Sequence, residues 1–148
     1  MKIEEAIQQT EFASEQQKSL INLIFTANQI NLYSQRFLRK WKITPQQFNI
    51  LRILRSQKPE VSTIMHVQNK MLDRMSNASR LVDELVEKGY CSRILNKNDR
   101  RKVDIKITSK GDKLLDTIEK SDIESRYLNI SKAEAQTLNK ILDKIRVE

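Results

Sequence analysis

The chain has 148 residues, 39% of them hydrophobic and 31% charged, which is the composition of one folded domain of ordinary size. Its 27 Lys and Arg residues outnumber its 19 Asp and Glu residues, and the resulting net charge of +8 at pH 7 favours a polyanionic partner. One cysteine and one histidine exclude an intramolecular disulfide, a Cys-rich zinc site and a histidine metal cluster, and two glycines exclude a glycine-rich nucleotide loop.

The start of the chain carries no targeting pattern. Residues 1–12 lack the basic-then-apolar profile of a signal peptide. No uncharged apolar run in the sequence approaches the roughly 20 residues that are needed to cross a bilayer. We therefore expect a cytoplasmic protein that uses no membrane. The absence of metal-binding and nucleotide-binding motifs leads us to expect no cofactor.

Helical spacing of apolar residues predicts one long amphipathic helix from residue 15 to about residue 40. The apolar positions are Leu20, Leu23, Ile24, Ala27, Ile30 and Phe37. A stripe of this kind is stabilised when another apolar surface covers it, so this helix needs a partner.

A second helix is predicted from its start signals. Thr44 is a natural N-cap, Pro45 suits the first helical position, and Gln47 completes a capping box. The predicted buried face of this helix comprises Phe48, Leu51 and Leu54.

Two shorter helices follow. The first restarts the chain at Ser62, a candidate N-cap, and ends in a break around Leu72. The second begins near Arg74 and is stopped by Gly89, a residue typical of a left-handed C-cap. Its inward-facing residues are Ala78, Leu81, Val82, Leu85 and Val86. Two consecutive short helices of this kind predict a helix-turn-helix.

The residue period then changes from that of a helix to two, which is typical of strands. Residues 90–95 and 103–108 are predicted strands, and the polar, basic residues 96–102 between them form the tip of a β-hairpin. The window 93–113 holds eight positive and three negative side chains, so it carries +5 of the total charge of +8. The positive charge is therefore concentrated on and after the hairpin.

Two helices close the sequence. Thr108 or Ser109 caps the first of them, and Ser131 with Glu134 forms a capping box for the second. The apolar side of the last helix comprises Leu138, Ile141, Leu142 and Ile145. Like the stripe near the N-terminus, this side needs an apolar partner.

The order helix, helix, strand, basic loop, strand predicts a winged helix-turn-helix within a mainly α fold that has a small β-hairpin wing. An α-helix fits the major groove of B-DNA, where Arg forks onto a guanine edge and Asn onto an adenine edge. The candidate DNA-binding residues of the second helix are Arg74, Ser76, Asn77, Ser79 and Arg80. The alternative for the helix taken alone is a polar face without a ligand, which any amphipathic helix has.

The basic hairpin tip is a candidate for the minor groove of DNA. Its residues are Lys97, Asp99, Arg100, Arg101 and Lys102. An arginine at such a tip enters the narrow groove where the negative potential is deepest, and a neighbouring carboxylate orients its guanidinium. An ordinary solvated turn is the simpler explanation of the tip alone, but not of a tip that follows a helix-turn-helix.

Several motifs in combination resemble the MarR family of bacterial transcriptional regulators. The motifs are LDRMSNASRLVDEL at 72–85, EKGY at 87–90, DRR at 99–101 and ITSKG at 107–111, with ITPQQF upstream at 43–48. The resemblance spans roughly residues 43 to 115 at motif level, and the flanking helices agree in placement.

The resemblance implies an obligate homodimer that binds a pseudo-palindromic operator. In the family the N-terminal and C-terminal helices of both chains interlock. The single domain 1–148 is then expected to comprise a DNA-binding lobe at 43–115 and a helical dimerisation lobe formed by 1–42 and 116–148. The dimerisation residues that follow are Leu20, Ile24, Leu138, Leu142 and Ile145.

The resemblance also assigns roles in the wing and shows departures elsewhere. In the family's wing an Asp holds an Arg that lies in the minor groove, and Asp99 and Arg101 match those positions. Residues 65–68 replace a Glu-Leu-Ala run that the family often has, so we expect the same fold with slightly different packing. The family's peroxide sensors carry a cysteine near the start of the long N-terminal helix, whereas Cys91 follows Gly89 and is expected to be buried and inert.

Tyr33, Phe37 and Trp41 form a candidate effector cleft, because members of the family often bind aromatic or phenolic effectors between the dimer helices and the DNA-binding lobe. Packing at a helix junction is the alternative, and we favour it from the sequence, since aromatic residues at helical spacing mostly lie in cores. The lone His66 is likewise expected to be packed or solvated rather than to sense a ligand or pH.

The sequence therefore predicts a homodimeric regulator of transcription that binds double-stranded DNA sequence-specifically, as a repressor relieved by a small aromatic effector. A basic helical module that docks an acidic protein is the alternative, and it would show no preference for one duplex sequence. An enzyme is not expected, because the sequence offers no nucleophile–base pair, metal set or phosphate loop.

Overall fold

The structure is a computed structural model that describes residues 1–96, 103–121 and 127–146. Within it the chain divides into two units, Met1–Leu115 and Asp116–Glu148. The predicted fold class, mainly α with a small antiparallel sheet as a wing, is confirmed.

The first unit contains most of the helices and the whole sheet. Its elements in chain order are α1 (Ile3–Ile7), α2 (Glu15–Leu38), a 3-10 turn (Arg39–Trp41), α3 (Pro45–Ser56), β1 (Ser62–Thr63), α4 (Ile64–Lys70), α5 (Ala78–Glu87), β2 (Cys91–Leu95) and β3 (Val103–Ile107). Helix α6 (Ser109–Glu119) begins in the first unit and ends in the second, which also contains α7 (Lys132–Ile145).

The predicted helix starts at α3 and α7 are confirmed with their caps. In α3 the amide of Gln47 donates to Thr44 Oγ1 at 3.1 Å, and the amide of Thr44 donates back to Gln47 Oε1 at 3.1 Å. In α7 the amide of Ser131 donates to Glu134 Oε2 at 2.7 Å, and Ser131 Oγ accepts from the amide of Glu134 at 3.3 Å. Both helices therefore begin where their side chains satisfy the first backbone amides.

The prediction that Ser62 caps α4 is wrong. Thr63 is the N-cap, and its Oγ1 accepts from the amide of His66 at 3.1 Å. Ser62 instead lies in β1, where it is buried and pairs with Ile105 of β3. A strand of two residues is too short to show an alternating pattern in the sequence. The pairing of Ser62 with Ile105, which leaves Thr63 to cap α4, could therefore not be predicted.

The prediction that α5 begins near Arg74 is also wrong. The helix begins at Ala78, and Asn77 is its N-cap, accepting from the amide of Arg80 at 3.0 Å. Asp73 accepts from the amide of Met75, and this short-range bond favours a turn over an additional helical turn. Arg74 and Ser76 consequently lie in the loop before the helix and not on its face.

The sheet has the order β1-β3-β2, and both pairs are antiparallel. In the hairpin Cys91 lies opposite Ile107 and Leu95 opposite Val103, so each predicted strand is confirmed to within one residue. The hairpin tip at residues 97–102 lies outside the described residues.

The junction between α5, β2 and α6 depends on two glycines. Gly89 has φ +75°, which confirms the predicted left-handed C-cap after α5. A Cβ at Gly111 would lie 2.3 Å from the carbonyl oxygen of Tyr90, so this glycine permits close packing of α6 on the hairpin. Thr108 caps α6, because its Oγ1 accepts from the amide of Gly111 at 3.1 Å.

The core of the first unit is formed between α3, α4, α5 and the sheet. Its fully buried side chains include Ile50, Leu51, Leu54, Val67, Val82, Leu85 and Ile105. This core fixes the position of α5 relative to α3 and α4, on which the candidate site depends.

Candidate nucleic-acid interface

The loop before α5 is held by side chains from three places in the fold. We call residues 72–77 the pre-α5 loop. Asp73 accepts from Ser76 Oγ at 2.7 Å, from the amide of Met75 at 3.1 Å and from Gln46 Nε2 of α3 at 3.4 Å. The hydrogen bond from Ser76, followed by that from Gln46, holds the pKa of the Asp73 carboxyl below its ordinary value.

Gln68 of α4 secures the other side of the same loop. Its Nε2 donates to the carbonyl oxygens of Arg74 and Ser76, each at 3.0 Å, and its Oε1 accepts from the amide of Ala78 at 3.1 Å. In addition, the amide of Leu72 donates to Asn49 Oδ1 of α3 at 3.0 Å. These roles of Gln68 and Asn49 could not be predicted from the sequence, because hydrogen bonds from side chains to a distant loop leave no periodic signal.

The candidate DNA-binding residues of α5 and the pre-α5 loop differ in their solvent exposure and in the hydrogen bonds that they already make within the protein. Arg74, Ser79 and Arg80 are exposed at the first turn of α5 and just before it, whereas Ser76 is half-buried and bonded to Asp73. Asn77 is exposed, but its Oδ1 is engaged as the N-cap. In this conformation Asn77 offers its amide NH₂ as a donor, whereas the predicted fork onto adenine also requires its oxygen.

Arg80 is oriented by a chain of contacts that leads back to α3. Its guanidinium lies 3.1 Å from Glu84 Oε1, and Glu84 Oε2 accepts from Gln47 Nε2 at 2.7 Å. Gln47 is buried, and its Oε1 also accepts from Lys88 Nζ at 3.3 Å. The Arg80–Glu84 spacing of four residues was visible in the sequence, but the role of Gln47 beyond the capping box was not.

The wing can be described only at its base. Lys97, Asp99, Arg100, Arg101 and Lys102 all lie outside the described residues. At the base, Arg93 pairs with Asp83 of α5 at 2.5 Å, and the buried Asp104 accepts from Asn96 Nδ2 at 2.9 Å.

Lys110 and Arg93, both cations of the window 93–113, are engaged within the fold. Lys110 Nζ donates to the carbonyl oxygen of Lys88 at 2.7 Å and lies 4.9 Å from the centre of the Tyr90 ring. Arg93, another cation of the window, pairs with Asp83 of α5. The ion pair between Asp112 and Lys58 engages an acidic residue of the window and none of its cations. A charge count along the sequence therefore overstates the number of cations that α6 and the hairpin base offer to a ligand.

The candidate dimerisation residues are largely exposed in the single chain. On α2 of the first unit, Leu20 is 56% and Ile24 is 53% exposed. On α7 of the second unit, Leu138 and Ile145 are exposed and Leu142 is half-buried. Each helix thus presents apolar surface that its own unit does not cover.

The three candidate effector residues are not core residues. Tyr33 is exposed, and Phe37 and Trp41 are half-buried with ring centroids 5.2 Å apart. Lys40 Nζ lies 3.9 Å from the Trp41 ring centre and 4.7 Å from that of Phe37. The sequence did not reveal that the Lys40 ammonium lies over these two rings, a position that favours a cation–π contact.

Cys91 is buried in the first unit and His66 is half-buried there. Cys91 is buried, which confirms that part of the expectation, and burial raises the pKa of its thiol to about 12. His66 is half-buried, and its Nε2 is buried without a hydrogen-bond partner in the described part of the chain.

Residues 1–96, 103–121 and 127–146 contain no group of three or more His, Cys, Asp and Glu side chains arranged for a metal ion. The helices they form are each too short or too polar to span a bilayer.

Comparison with known proteins gives a consistent result. A family model described as "MarR family" matches residues 43–103. The uncharacterized HTH-type transcriptional regulator YpoP of Bacillus subtilis is 32% identical over 111 residues, which cover 70% of this chain and 74% of that protein.

Solved structures agree with this chain in fold at lower sequence identity. A mutant MarR from E. coli in complex with operator DNA is 22% identical with a TM-score of 0.76, and the match covers 93% of this chain and 100% of that one. BpsR of Bordetella bronchiseptica, whose DNA binding is regulated by 6-hydroxynicotinic acid, is 21% identical with a TM-score of 0.75, over 92% of this chain and 96% of that one.

Proposed function

The chain belongs to the MarR family of transcriptional regulators, and we propose that it binds a pseudo-palindromic operator as a homodimer and represses transcription until a small ligand releases it. The observation that carries this proposal is the arrangement at the start of α5. There the exposed Arg74, Ser79 and Arg80 are presented by a loop and a helix that side chains of α3 and α4 hold in place. We propose that the protein acts in the cytoplasm.

In this proposal the first turn of α5 enters the major groove. Arg80 donates to a guanine edge while Glu84 and Gln47 keep its guanidinium in position. Ser79 and Arg74 contact phosphate oxygens or base edges beside it. Asn77 contributes one amide donor, because its oxygen caps the helix.

The wing is proposed to grip the adjacent minor groove. This step rests on the sequence and the family, because the tip lies outside the described residues. Arg101 enters the groove and Asp99 holds its guanidinium, while the other cations of the tip contact the phosphates. Those other cations are Lys97, Arg100 and Lys102.

Dimerisation is proposed to bury the exposed apolar residues of α2 and α7. The helical lobe then comprises residues 1–42 and 116–148, and the DNA-binding lobe comprises residues 43–115. The residues proposed to lie in the interface are Leu20, Ile24, Leu138, Leu142 and Ile145. Two copies of α5 would meet successive major grooves about 34 Å apart.

A ligand is proposed to bind beside Tyr33, Phe37 and Trp41. The Lys40 ammonium next to two of these rings suits an aromatic anion, since the rings stack on its apolar part and the ammonium pairs with its charge. The ligand releases DNA only if it binds more tightly to a dimer whose two α5 helices are wrongly spaced for the operator.

The experiment that tests this function is selection of duplexes from a random-sequence pool by the wild-type protein. We expect one palindromic sequence to be enriched and to bind at least ~10³-fold more tightly than random duplex at the same salt concentration. Equal binding to all duplexes, or no binding at low salt, would contradict the proposal and favour an acidic protein partner.

Two arginine variants separate reading of the sequence from charge. Arg80→Ala is expected to lose about 1–3 kcal/mol at particular base pairs. Arg101→Ala should weaken binding to all duplexes and lower the slope of log K against log salt by about one. Arg146→Ala, which removes the same charge from the residue after α7, is the matched control and should change neither quantity.

A further inference from the structure

The pre-α5 loop exposes two large apolar side chains beside the proposed DNA-binding surface. Met75 is 95% exposed and Leu72 is 89% exposed. The apolar residues immediately before and after them, Met71 and Ala78, are both buried. Exposure of large apolar groups brings no stability to the chain, so these two side chains are candidates for contact with a ligand.

Met75 is exposed although hydrogen bonds hold the loop around it in place. The backbone amide of Met75 donates to Asp73, and the carbonyl groups of its two neighbours, Arg74 and Ser76, both accept from Gln68. The backbone is therefore tied on both sides of Met75, and its side chain projects from a held position. Met75 lies two residues before Asn77, the N-cap of α5.

Among the surfaces that such a side chain could meet, the major groove of DNA fits best. Two side chains are far too few for a stable protein–protein interface, which buries about 800 Å² on each partner. Arg74 lies between them in sequence and suits a polyanion. The apolar group of the major groove is the 5-methyl group of thymine, and the flexible, polarizable thioether of methionine adapts to such a group.

We propose that Met75 contacts the 5-methyl group of one thymine in each half of the operator and is thereby a specificity-determining residue. This inference rests on the proposed function, because it requires α5 to enter the major groove. It adds an apolar contact to a surface whose other candidate residues all act through hydrogen bonds or charge.

The test replaces each thymine of the selected duplex, one at a time and in both half-sites, by deoxyuridine, which lacks only the methyl group. Dissociation constants are measured by fluorescence anisotropy at fixed salt. For the wild-type protein we expect one position per half-site at which removal of the methyl group weakens binding about fourfold, the equivalent of ~0.8 kcal/mol for one buried methyl group. The Met75→Ala variant should bind the thymine and deoxyuridine duplexes equally well at that position.

Two control variants make the result specific to Met75. Met75→Leu keeps an apolar side chain and should preserve the dependence on the methyl group. Met65→Ala removes an equally large side chain that is 73% exposed on α4, and it should also preserve that dependence. Because Met75 is exposed, its variants are expected to unfold at the same urea concentration as the wild type.

The possible failures are distinguishable. If Met75→Ala keeps the wild-type sensitivity at every thymine, or if Met65→Ala loses it as well, Met75 does not recognise the thymine methyl group. The proposed binding to an operator is unaffected by that result. If no duplex is enriched by the wild-type protein, the proposed function fails and this inference fails with it.

Discussion

Helices α5 and α2 use their apolar residues in opposite ways. In α5, which has 10 residues, Ala78, Leu81, Val82 and Leu85 are all buried. In α2, which has 24 residues, Leu38 at the last position is the one buried residue, and Leu20 and Ile24 lie exposed. The chain therefore determines the position of α5 by itself, whereas the face of α2 is complete only against a further surface.

This difference separates two parts of the proposed function. The element that would read DNA is fixed by contacts within a single copy, through Gln47, Gln68 and the core of the first unit. The distance between two such elements would be fixed elsewhere, by helices whose apolar surface is still exposed. Affinity for a half-site and response to a ligand should therefore depend on different residues.

The largest effect is expected from a charge placed on the exposed face of α2. Ile24→Glu should raise the dissociation constant of the homodimer by at least ~10³-fold, because each copy then brings an unpaired carboxylate into the interface. Analytical ultracentrifugation measures this constant directly. Gln29→Glu adds the same charge at an exposed position on another side of α2 and should leave the dimer intact. An unchanged dimer for Ile24→Glu would remove α2 from the interface.

The next effect concerns the buried face of α5. Leu85→Ala should lower the free energy of unfolding by about 3 kcal/mol, because it deletes buried methyl groups and leaves a cavity. Urea denaturation at several protein concentrations gives this quantity separately from dimerisation. Leu95→Ala in β2 is the control, since Leu95 is 67% exposed and its loss should cost less than ~0.5 kcal/mol. Similar losses for both variants would contradict the contrast between buried and exposed apolar residues.

Much of this organisation could be predicted from the sequence, because it depends on local chemistry. The capping boxes at Thr44 and Ser131 and the left-handed Gly89 act within a few residues, so their patterns identify helix ends. The start of α5 could not be predicted in the same way. It is decided by Asp73 and by Gln68, and the bonds of Gln68 cross to a different element.

The candidate site was predictable in its residue types but not in its geometry. The polar residues before and within α5 were visible in the sequence, whereas the engagement of Asn77 as a cap depends on where the helix begins. The orientation of Arg80 depends on Gln47, 33 positions earlier in the chain, and contacts of that range leave no pattern in a single sequence. The number of available cations in the window 93–113 was overstated for a similar reason, because Lys110 and Arg93 have partners outside it.

A smaller loss of stability is expected at the junction that joins α5 to the hairpin and α6. Gly111→Ala should lower the free energy of unfolding by about 2 kcal/mol, because the new Cβ would lie 2.3 Å from the carbonyl oxygen of Tyr90 and 2.8 Å from Cγ1 of Ile107. Gly89→Ala provides a comparison at the same junction. Its Cβ has room, with the nearest atoms of Lys110 at 3.7 Å, so its cost of about 1 kcal/mol comes from φ +75° alone. Equal stability of the Gly111→Ala and wild-type proteins in urea would show that the backbone adjusts freely there.

The smallest effect on DNA binding is expected from oxidants, because Cys91 of β2 is buried, like the apolar residues of α5. Burial raises the pKa of its thiol from 9.0 to about 12, so the thiol stays protonated in the folded protein at neutral pH. Iodoacetamide at pH 8 should therefore modify the native protein far more slowly than the protein in urea, and peroxide should leave operator affinity unchanged.

The raised pKa of the Cys91 thiol also determines how the stability of the protein changes with pH. The stability that the protonated thiol contributes is fully present below pH 9 and is lost as the pH rises towards 12, so Cys91→Ala should reduce the alkaline loss of stability over that range. Rapid alkylation of the native protein at pH 8, or loss of DNA binding on peroxide treatment that Cys91→Ala abolishes, would instead make this cysteine a sensor.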